Sequence, residues 1–393
     1  MAIIKNLGVR MTSRNINPIR VIRTFHPVGQ GAFYTERHMI DEDKFTIVFD
    51  CGSTTLKEKE LKRKIYSTFP KDHRIDILFI SHFHADHING LNFLKEHCEI
   101  KNVVLPLVSP EARVLLKISN YFEYKLDETL LIDDPKKYFG EKTNVISVDV
   151  VGEDTFGVSI NFEDKFKILG FEDRKKIPSG QVIVSGFDNH NWFFIPFNYR
   201  QEDRKRQFID SLRKYGLELI DIDTIENICS HKDEIKKAYE DIEGDLNENS
   251  MLLFSGIKQE EKIINFQNCH QHCCPLECTR PNCSCIYFGD IDLNEGNIVG
   301  DIHSRLKNLL PSVGTIQVPH HGSIHNFNRA FLTKCKPECA IISFGNKNSF
   351  GHPSDRVIED ILSNKIYPYL VTENQCSMVT QLKYNKKLGQ LFI

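Results

Sequence analysis

The chain has 393 residues, of which 40% are hydrophobic and 26% are charged, and its 50 basic and 53 acidic residues give a formal net charge of −3. This composition is typical of a soluble globular protein, and it excludes collagen-like, coiled-coil and wholly disordered chains. The near-neutral charge also argues against a surface basic enough to hold nucleic acid by phosphate contacts alone, although a local basic cleft is compatible with it.

Predicted strands and helices alternate in the first part of the chain. Runs rich in apolar and β-branched residues predict strands, and a Lys-, Glu- and Leu-rich run predicts a helix between two of them. This alternation indicates an α/β layered architecture. The predicted strands are 19–25, 45–49 and 75–81, and the predicted helices are 55–66 and 90–96.

The middle of the chain, 106–246, is less regular and is predicted to be an insertion or a lid-bearing region. Its predicted helices are 110–124, 202–215 and 223–240, and its predicted strands are 145–151, 181–187 and 192–197. One basic run could face a substrate, although a solvated helix face is the more ordinary interpretation. The run contains Arg200, Arg204, Lys205, Arg206, Arg213 and Lys214.

Strands and helices return from residue 247 onward. Two strand-rich blocks with interleaved helices predict a sandwich of sheets with helices outside. No apolar stretch is long enough to span a membrane, and the protein is predicted to be cytoplasmic, without membrane attachment. The predicted strands are 251–255, 262–266, 286–289, 315–318 and 340–344, with helices at 298–309, after 326 and at 355–364.

The strongest chemical signal is the run Ser81-His82-Phe83-His84-Ala85-Asp86-His87, which lies between a predicted strand and a predicted helix. Three histidines and a carboxylate so close together are unusual as core packing. A loop at the end of a strand can direct His82 and His84 to one point and Asp86 and His87 to a neighbouring point, which suits two cations. Imidazole and carboxylate ligands fit Zn, Mn or Fe and do not select among them.

His82-x-His84-x-Asp86-His87 resembles the signature of the metallo-β-lactamase superfamily of metallohydrolases, many of which are binuclear. The order of other short motifs agrees with this resemblance. More narrowly, the chain resembles the branch that includes the hydrolase domain of ComEC DNA-uptake proteins, over residues 21–105 and 247–370. The motifs are Val28-Gly29-Gln30-Gly31, Asp50-Cys51-Gly52, Asn249-Ser250, Gly289-Asp290, His320-His321-Gly322-Ser323 and Asn348-Ser349-Phe350-Gly351-His352-Pro353.

The resemblance implies an αββα sandwich in the α/β class, with a long insertion. Residues 1–105 would form the first half of the domain, 106–246 the insertion or lid region, and 247–393 the second half. Two divalent cations, Zn or Mn, would be the cofactors. His82 and His84 would hold one cation, Asp86 and His87 the other, Asp290 would bridge them, and His320 and His352 would complete the shells.

The same resemblance implies a mechanism. A hydroxide that bridges the two cations would be the nucleophile, because bound cations lower the pKa of water. Asp86 would orient this nucleophile, and His321 would give a proton to the leaving group. Two departures from the pattern bear on the metal count: Asn249 stands where many superfamily members have a further histidine, and His84 stands where ComEC domains usually have Asp.

A second cluster of metal-ligand residues lies within 269–285, between two predicted strands. Four thiolate or imidazole ligands would close a tetrahedral structural zinc site, and this zinc-binding loop is favoured over free thiols or a redox role. The spacing matches no standard zinc finger, so the ligand set stays open. The candidates are Cys269, His270, His272, Cys273, Cys274, Cys278, Cys283 and Cys285.

The leading hypothesis is a metal-dependent hydrolase of a phosphodiester, either a nuclease or a nucleotide phosphodiesterase, with nucleic acid or a nucleotide as its substrate. Two cations suit this chemistry because they stabilise both the attacking and the leaving oxygen. One alternative is a lactone, thioester or amide hydrolase, which a similar metal pair can serve. Another is a non-catalytic regulatory module that binds metal, and the missing histidine at Asn249 motivates it.

Overall fold

Two β-sheets packed face to face form the body of the protein, seen here in a computed structural model. The structure describes residues 20–40, 42–121, 129–169, 174–187, 190–200, 203–241, 249–258, 263–269, 276–278 and 282–385, with the backbone alone at 153, 203–205, 225, 239, 249, 263–269, 276–278 and 384–385.

The strands of the described residues are numbered in chain order. They are β1 (Arg20–Phe25), β2 (Phe33–Ile40), β3 (Asp43–Cys51), β4 (His73–Phe79), β5 (Cys98–Pro106), β6 (Asn144–Val148), β7 (Lys165–Lys167), β8 (Lys176–Ile177), β9 (Val182–Val184), β10 (Phe193–Arg200), β11 (Asn249–Gly256), β12 (Ile263–Cys269), β13 (Leu276–Cys278), β14 (Ser284–Tyr287), β15 (Val313–Gln317), β16 (Cys339–Ser343), β17 (Tyr367–Val371) and β18 (Val379–Asn385).

The helices of the described residues are likewise numbered in chain order. They are α1 (Glu58–Thr68), α2 (Ala85–Ile88), α3 (Leu91–His97), α4 (Pro110–Ser119), α5 (Thr129–Asp133), α6 (Pro135–Phe139), α7 (Asp203–Lys214), α8 (Ile225–Ser230), α9 (Lys232–Glu240), α10 (Ile298–Leu306), α11 (Arg329–Cys335) and α12 (Asp355–Ser363). None of them is both long and apolar enough to cross a membrane.

The first sheet has the described strand order β13-β12-β18-β1-β2-β3-β4-β5-β6-β8. Strands β1 to β3 are antiparallel neighbours, whereas β3 to β6 run parallel. Strand β4 is buried along Ile75–Phe79 on both faces, because helices cover one side and the second sheet covers the other. This double cover accounts for its nearly continuous apolar sequence.

The second sheet has the described order β17-β16-β15-β14-β11-β10-β9-β7. Strands β14 to β17 run parallel, and α10, α11 and α12 lie in the connections between them. One apolar cluster fills the space between the sheets, and two others lie on their outer faces. The predicted α/β sandwich with helices outside is therefore confirmed.

A buried ionic network joins the two sheets. Arg23 on β1 donates to the carboxylate of Glu36 on β2 at 2.6 Å, and both side chains are fully buried. Glu36 also accepts hydrogen bonds from Tyr287 and Ser255, which belong to the second sheet. Burial opposes ionisation of Glu36, but the charge of Arg23 and the bond from His38 hold its pKa below the usual range.

The middle segment, 106–246, contributes to both sheets as well as to a helical layer. Strands β6 and β8 extend the first sheet, and β7, β9 and β10 extend the second. Helices α7 to α9 pack with α4 around an apolar cluster that includes Leu115, Phe208 and Ile235. The role of the segment as an insertion or a lid stays a prediction.

Candidate metal centre

The histidine-rich run follows β4 and leads into α2, as its sequence context predicts. His82, His84, Asp86 and His87 are all buried. One ligand atom each from His82, His84 and Asp86 lies within 4.8 Å of the others. These three side chains form the first ligand group of the site.

Asp86 also belongs to a second ligand group, together with His87, Asp290 and His321, whose ligand atoms lie within 4.8 Å of one another. The carboxylate of Asp290 lies between the two groups, because its oxygens are 3.3 Å from His87 Nε2 and 3.6 Å from His82 Nε2. The structure thus brings the predicted bridging residue to the position between the two predicted histidine sets.

The second sheet delivers Asp290 to this position. Asp290 follows β14 after Gly289, and its backbone N–H donates to Ser250 Oγ at 3.1 Å. Gly289 has φ of +57°, and a Cβ there would lie 2.7 Å from the side chain of Ser81. Only glycine therefore allows β14 to end so close to the histidine loop. The side chain of the neighbouring Asn249 lies outside the described residues.

Asp50 orients His82 and His87 through hydrogen bonds on the side of the rings away from the centre of the site. It accepts hydrogen bonds from Ser81 Oγ at 2.7 Å and from His87 Nδ1 at 2.8 Å. His82 Nδ1 in turn lies 2.8 Å from Ser81 Oγ and donates to it, since the hydroxyl proton goes to Asp50. Both imidazoles therefore present Nε2 to the centre of the site, the arrangement expected of metal-ligating histidines held by a carboxylate.

Several polar atoms at the centre fit a cation. His82 Nε2, His87 Nε2 and Asp290 Oδ1 are buried and have no hydrogen bond of good geometry, although His87 Nε2 and Asp290 Oδ1 form an ion-pair contact at 3.3 Å. Metal coordination would satisfy these three atoms. His321 Nδ1 donates to the carbonyl of Ser343 at 2.8 Å, so its Nε2 presents a lone pair to Asp86 Oδ2 at 3.0 Å. A lone pair and a carboxylate face each other favourably only around a cation or a proton.

The electrostatics of the cluster agree with this fit. Burial would lower the pKa of His87, but the carboxylates of Asp290, Asp86 and Asp50 raise it well above the ordinary value. Burial would likewise raise the pKa of Asp290, but the neighbouring imidazoles, His87 first, hold it well below the ordinary value. The pocket thus stabilises positive charge at its centre, which a divalent cation would supply.

The three histidines from the later motifs take different positions. His321 is buried and lies in the second ligand group, whereas His320 and His352 belong to neither group formed by the described residues. His320 Nε2 is 3.8 Å from Asp290 Oδ2, and the His352 ring lies beside it with the centroids 5.6 Å apart. Their predicted ligand roles, like the proton-donor role predicted for His321, stay predictions.

An open cavity of about 760 Å³ leads to the metal centre. His84, Asp86, Asp290, His320 and His352 line it, so both ligand groups reach solvent through this one opening. No side chain of the basic run 200–214 is among its described lining residues, and Arg213 instead pairs with Glu218 at 3.2 Å. This pairing favours a solvated helix face; the side chains of Arg204 and Lys205 lie outside the described residues.

The cysteine cluster is described only in part. Cys283 and Cys285 are free thiols buried in the core between the sheets, and the Cys283 carbonyl accepts a hydrogen bond from Arg23. The other candidates lie outside the described residues, or are described by their backbone alone, as for Cys269 and Cys278. The candidates outside the described residues are His270, His272, Cys273 and Cys274. The predicted structural zinc stays a prediction.

Asp50 and Phe350 are two residues whose roles the sequence did not disclose. Their motifs carried the family resemblance, but the orienting role of Asp50 depends on bonds to Ser81 and His87 that only the fold creates. A signal was present, since Asp50 directly follows the predicted strand 45–49 and belongs to the motif Asp50-Cys51-Gly52. Phe350 lines the cavity although it is 60% exposed.

Comparison with known proteins supports the superfamily resemblance. A family model described as Metallo-beta-lactamase superfamily matches residues 38–163, which include Asp50 and the whole histidine run. Ribonuclease J of Mycoplasma genitalium is 24% identical over 152 residues, which cover 37% of this chain and 24% of that protein. The chain therefore spans about a quarter of the length of that curated relative.

Two solved structures also match over most of their lengths. Human tRNase Z, short form, has a TM-score of 0.36 and 11% identity, with 83% of this chain and 93% of that chain covered. Unliganded yeast PDE1 has a TM-score of 0.36 and 8% identity, with 94% and 100% covered.

Proposed function

We propose that this protein is a hydrolase of phosphodiesters that depends on two divalent cations, acting as a nuclease or a nucleotide phosphodiesterase. The observation that carries the proposal is the pair of ligand groups that share Asp86 and open into one cavity. The superfamily match and the similarity to a protein named as a ribonuclease support the same reaction class. The motif resemblance to ComEC hydrolase domains is a narrower form of this proposal.

The site residues would hold the cations, as Zn or Mn, through His82, His84 and Asp86 in one group and Asp86, His87, Asp290 and His321 in the other. Bound there, the cations would supply Lewis acidity toward a phosphoryl oxygen and lower the pKa of water. The mixed imidazole and carboxylate donors suit both metals. Asp50 and Ser81 would keep the imidazoles turned inward throughout.

The remaining cavity residues would place the substrate and manage protons. His321 has both ring nitrogens engaged, with Ser343 and with Asp86, and it is buried. His320 lines the cavity and lies beside Asp290. We therefore assign the delivery of a proton to the leaving oxygen to His320 in place of His321, since the donor must reach the substrate.

Metal content and cleavage, measured together, test the proposal. Wild-type protein should bind Zn or Mn and cleave single- or double-stranded DNA or RNA, and Asp290→Asn should lose most of both properties. Glu99→Gln, a change at an exposed acid on β5, is the matched control and should keep both. Metal-loaded wild type that cleaves lactones or thioesters but no phosphodiester would refute the proposal and favour that alternative, and a chain without metal at this site would refute both.

We also propose a cytoplasmic location. Cys229 and Cys376 are exposed free thiols, which persist in a reducing compartment.

A further inference from the structure

Phe350 is a large apolar side chain placed where a polar one would be expected. It is 60% exposed, and it lines the cavity that leads to the metal centre. The nearby lining residues Thr54, Thr55 and Ser349 are polar. The exposed ring therefore adds nothing to the core, and its position beside the metal ligands calls for a different explanation.

The loop that carries Phe350 is fastened by Asn348. The side-chain oxygen of Asn348 accepts from the backbone N–H of Phe350 at 3.2 Å and from that of His352 at 3.0 Å. Its amide donates to the carbonyls of Gly345 at 2.7 Å and His352 at 2.6 Å. The backbone that carries the exposed ring is thus held in place before any ligand arrives, which reduces the entropy that the loop loses on binding.

A series of ring contacts, one stacked and one edge-on, connects this ring to the candidate metal centre. The Phe350 ring lies against the His352 imidazole, with centroids 5.7 Å apart and planes at 24°. His352 lies beside His320, and His320 Nε2 is 3.8 Å from Asp290 Oδ2. A planar group stacked on Phe350 would lie in the same cavity as the candidate metal ligands, separated from Asp290 by the rings of His352 and His320.

A charged residue at the cavity indicates what kind of group the planar ring is attached to. Lys347 lies three residues before Phe350, is exposed, and lines the same cavity. Its ammonium group favours an anion such as a phosphate that flanks the reacting one. Glu373 also lines the cavity, and its carboxylate accepts a hydrogen bond from the backbone N–H of Asn346 at 3.1 Å. With this carboxylate engaged by the backbone, a flat apolar ring, a cation and the candidate metal centre around one cavity match the parts of a nucleotide.

We infer that Phe350 is a specificity-determining residue, and that it stacks on the nucleobase next to the phosphodiester bound at the metal centre, with Lys347 contacting the flanking phosphate. This inference rests on the proposed phosphodiesterase function and names its substrate as one that bears a base. Stacking of this kind is tolerant of base identity, because every base has a π-face.

A comparison of substrates with and without bases tests the inference. The probes are a DNA dinucleotide, the same dinucleotide with hydrogen in place of both bases, and a cyclic mononucleotide, each with Mn or Zn. Phe350→Ala should raise KM for the dinucleotide about 5- to 150-fold, the range expected for one base stacked on an aromatic ring. The variant should leave kcat and the metal content nearly unchanged. The base-free dinucleotide should have the same KM with wild type and with Phe350→Ala.

Two variants and one control separate stacking from other causes. Phe350→Trp should keep the wild-type KM, whereas Phe350→Leu, which is apolar but not aromatic, should behave like Phe350→Ala. Ile220→Ala removes a side chain that is 80% exposed and lies outside the cavity lining, and it should change nothing.

The outcomes separate this inference from the function on which it rests. Wild type that cleaves both dinucleotides with the same KM, unaffected by Phe350→Ala, would overturn the inference and leave the proposed function intact. Wild type that cleaves no phosphodiester would overturn both. A Phe350 effect on the cyclic mononucleotide alone would support the nucleobase contact and identify a mononucleotide as its source, and an effect on the dinucleotide would identify a nucleic-acid strand.

Discussion

Asp50 is a single carboxylate on which two imidazoles of the site depend. It holds His87 directly and His82 through Ser81, and its own backbone has φ of +55°, an uncommon conformation for a residue other than glycine. Such a conformation at a residue with so many bonds is consistent with a functional constraint. Its contribution to metal binding is therefore open to measurement.

We expect Asp50→Asn to weaken metal binding about 10- to 100-fold, which is typical when the partner of a ligating histidine is changed. The amide keeps the shape of the side chain but removes the charge that fixes the protonation of His87 Nδ1. Titration of metal into chelator-treated protein gives the affinity. Asp43→Asn, an exposed change at the start of the same strand, is the control, and equal affinities of the two variants would show that Asp50 does not act through the histidines.

At the scale of elements, the Arg23–Glu36 pair joins β1 and β2 to the strands of the facing sheet. Removal of one partner leaves the other charge buried, so Glu36→Ala should lower the free energy of unfolding by about 3–5 kcal/mol. The double variant Arg23→Met with Glu36→Leu should recover only part of that loss, because it removes both charges but leaves the buried hydroxyls of Tyr287 and Ser255 without their acceptor. Urea unfolding measures all of these values.

The exposed pair of Lys62 and Glu96, whose charged atoms are 3.4 Å apart, provides the comparison. Glu96→Gln should leave the free energy of unfolding nearly unchanged, because solvent screens this exposed pair. A cost for Glu36→Ala as small as that of Glu96→Gln would mean that water reaches the buried pair.

The helical layer of α4 and α7–α9 has an apolar cluster of its own, and Phe208 is fully buried in it. Phe208→Ala should destabilise the layer by about 3–5 kcal/mol, the usual cost of such a cavity. Amide exchange should quicken in α7 and α9 and stay slow in β4, while the metal content stays unchanged. Loss of metal in this variant would show that the layer supports the site.

An element could be predicted from the sequence where the residues that indicate it are contiguous in the chain. The strand of residues 75–81 and the histidine run after it were predicted together, because apolar residues and the loop that follows them are contiguous. The predicted helix 223–240 is two helices, α8 and α9, which meet at His231. The strands 145–151 and 192–197 of the middle segment were predicted and correspond to β6 and β10. Their places in the two sheets were not predicted, because both strands pair with strands distant in sequence.

In the candidate site, likewise, the residues that could be predicted are those whose pattern is contiguous in the sequence. His82 to His87 are neighbours in sequence, and the Gly289-Asp290 motif marks the end of a strand. The position of His321 depends on Ser343 at the end of β16 and on Asp86, which are brought together only by the fold. The burial of Arg23 and Glu36 was also beyond prediction, since charged residues are ordinarily exposed.

At the scale of the whole molecule, buried histidines link stability to pH. Burial, helped by the nearby charge of Arg37, lowers the pKa of His26 from 6.5 to about 3. The unfolded chain takes up a proton below pH 6.5 and the folded chain does not until about pH 3. The free energy of unfolding should thus be at its full value above pH 6.5 and should fall as the pH drops toward 3.

His26→Gln should reduce this pH dependence by about one proton while keeping a polar partner for Thr35, to which His26 Nε2 is bonded at 3.0 Å. Urea unfolding at pH 7 and pH 5 gives the slope for each protein. His231→Gln, at a partly exposed position, should leave the slope as in the wild type. A slope that is the same in His26→Gln and in the wild type would contradict the assignment.

The two ligand groups contain residues that are far apart in the chain. The residues up to His87, with Asp50 as a supporting partner, come from the first sheet, whereas Asp290 and His321 lie in loops of the second. A ribosome releases the N-terminal residues first. A nascent chain that has not yet emerged as far as Asp290 carries His82, His84 and Asp86 but lacks Asp290 and His321 of the second ligand group. Under the proposed function, the second cation could be held only after His321 has left the ribosome, so a chain that ends before Asp290 should bind less metal than the full chain.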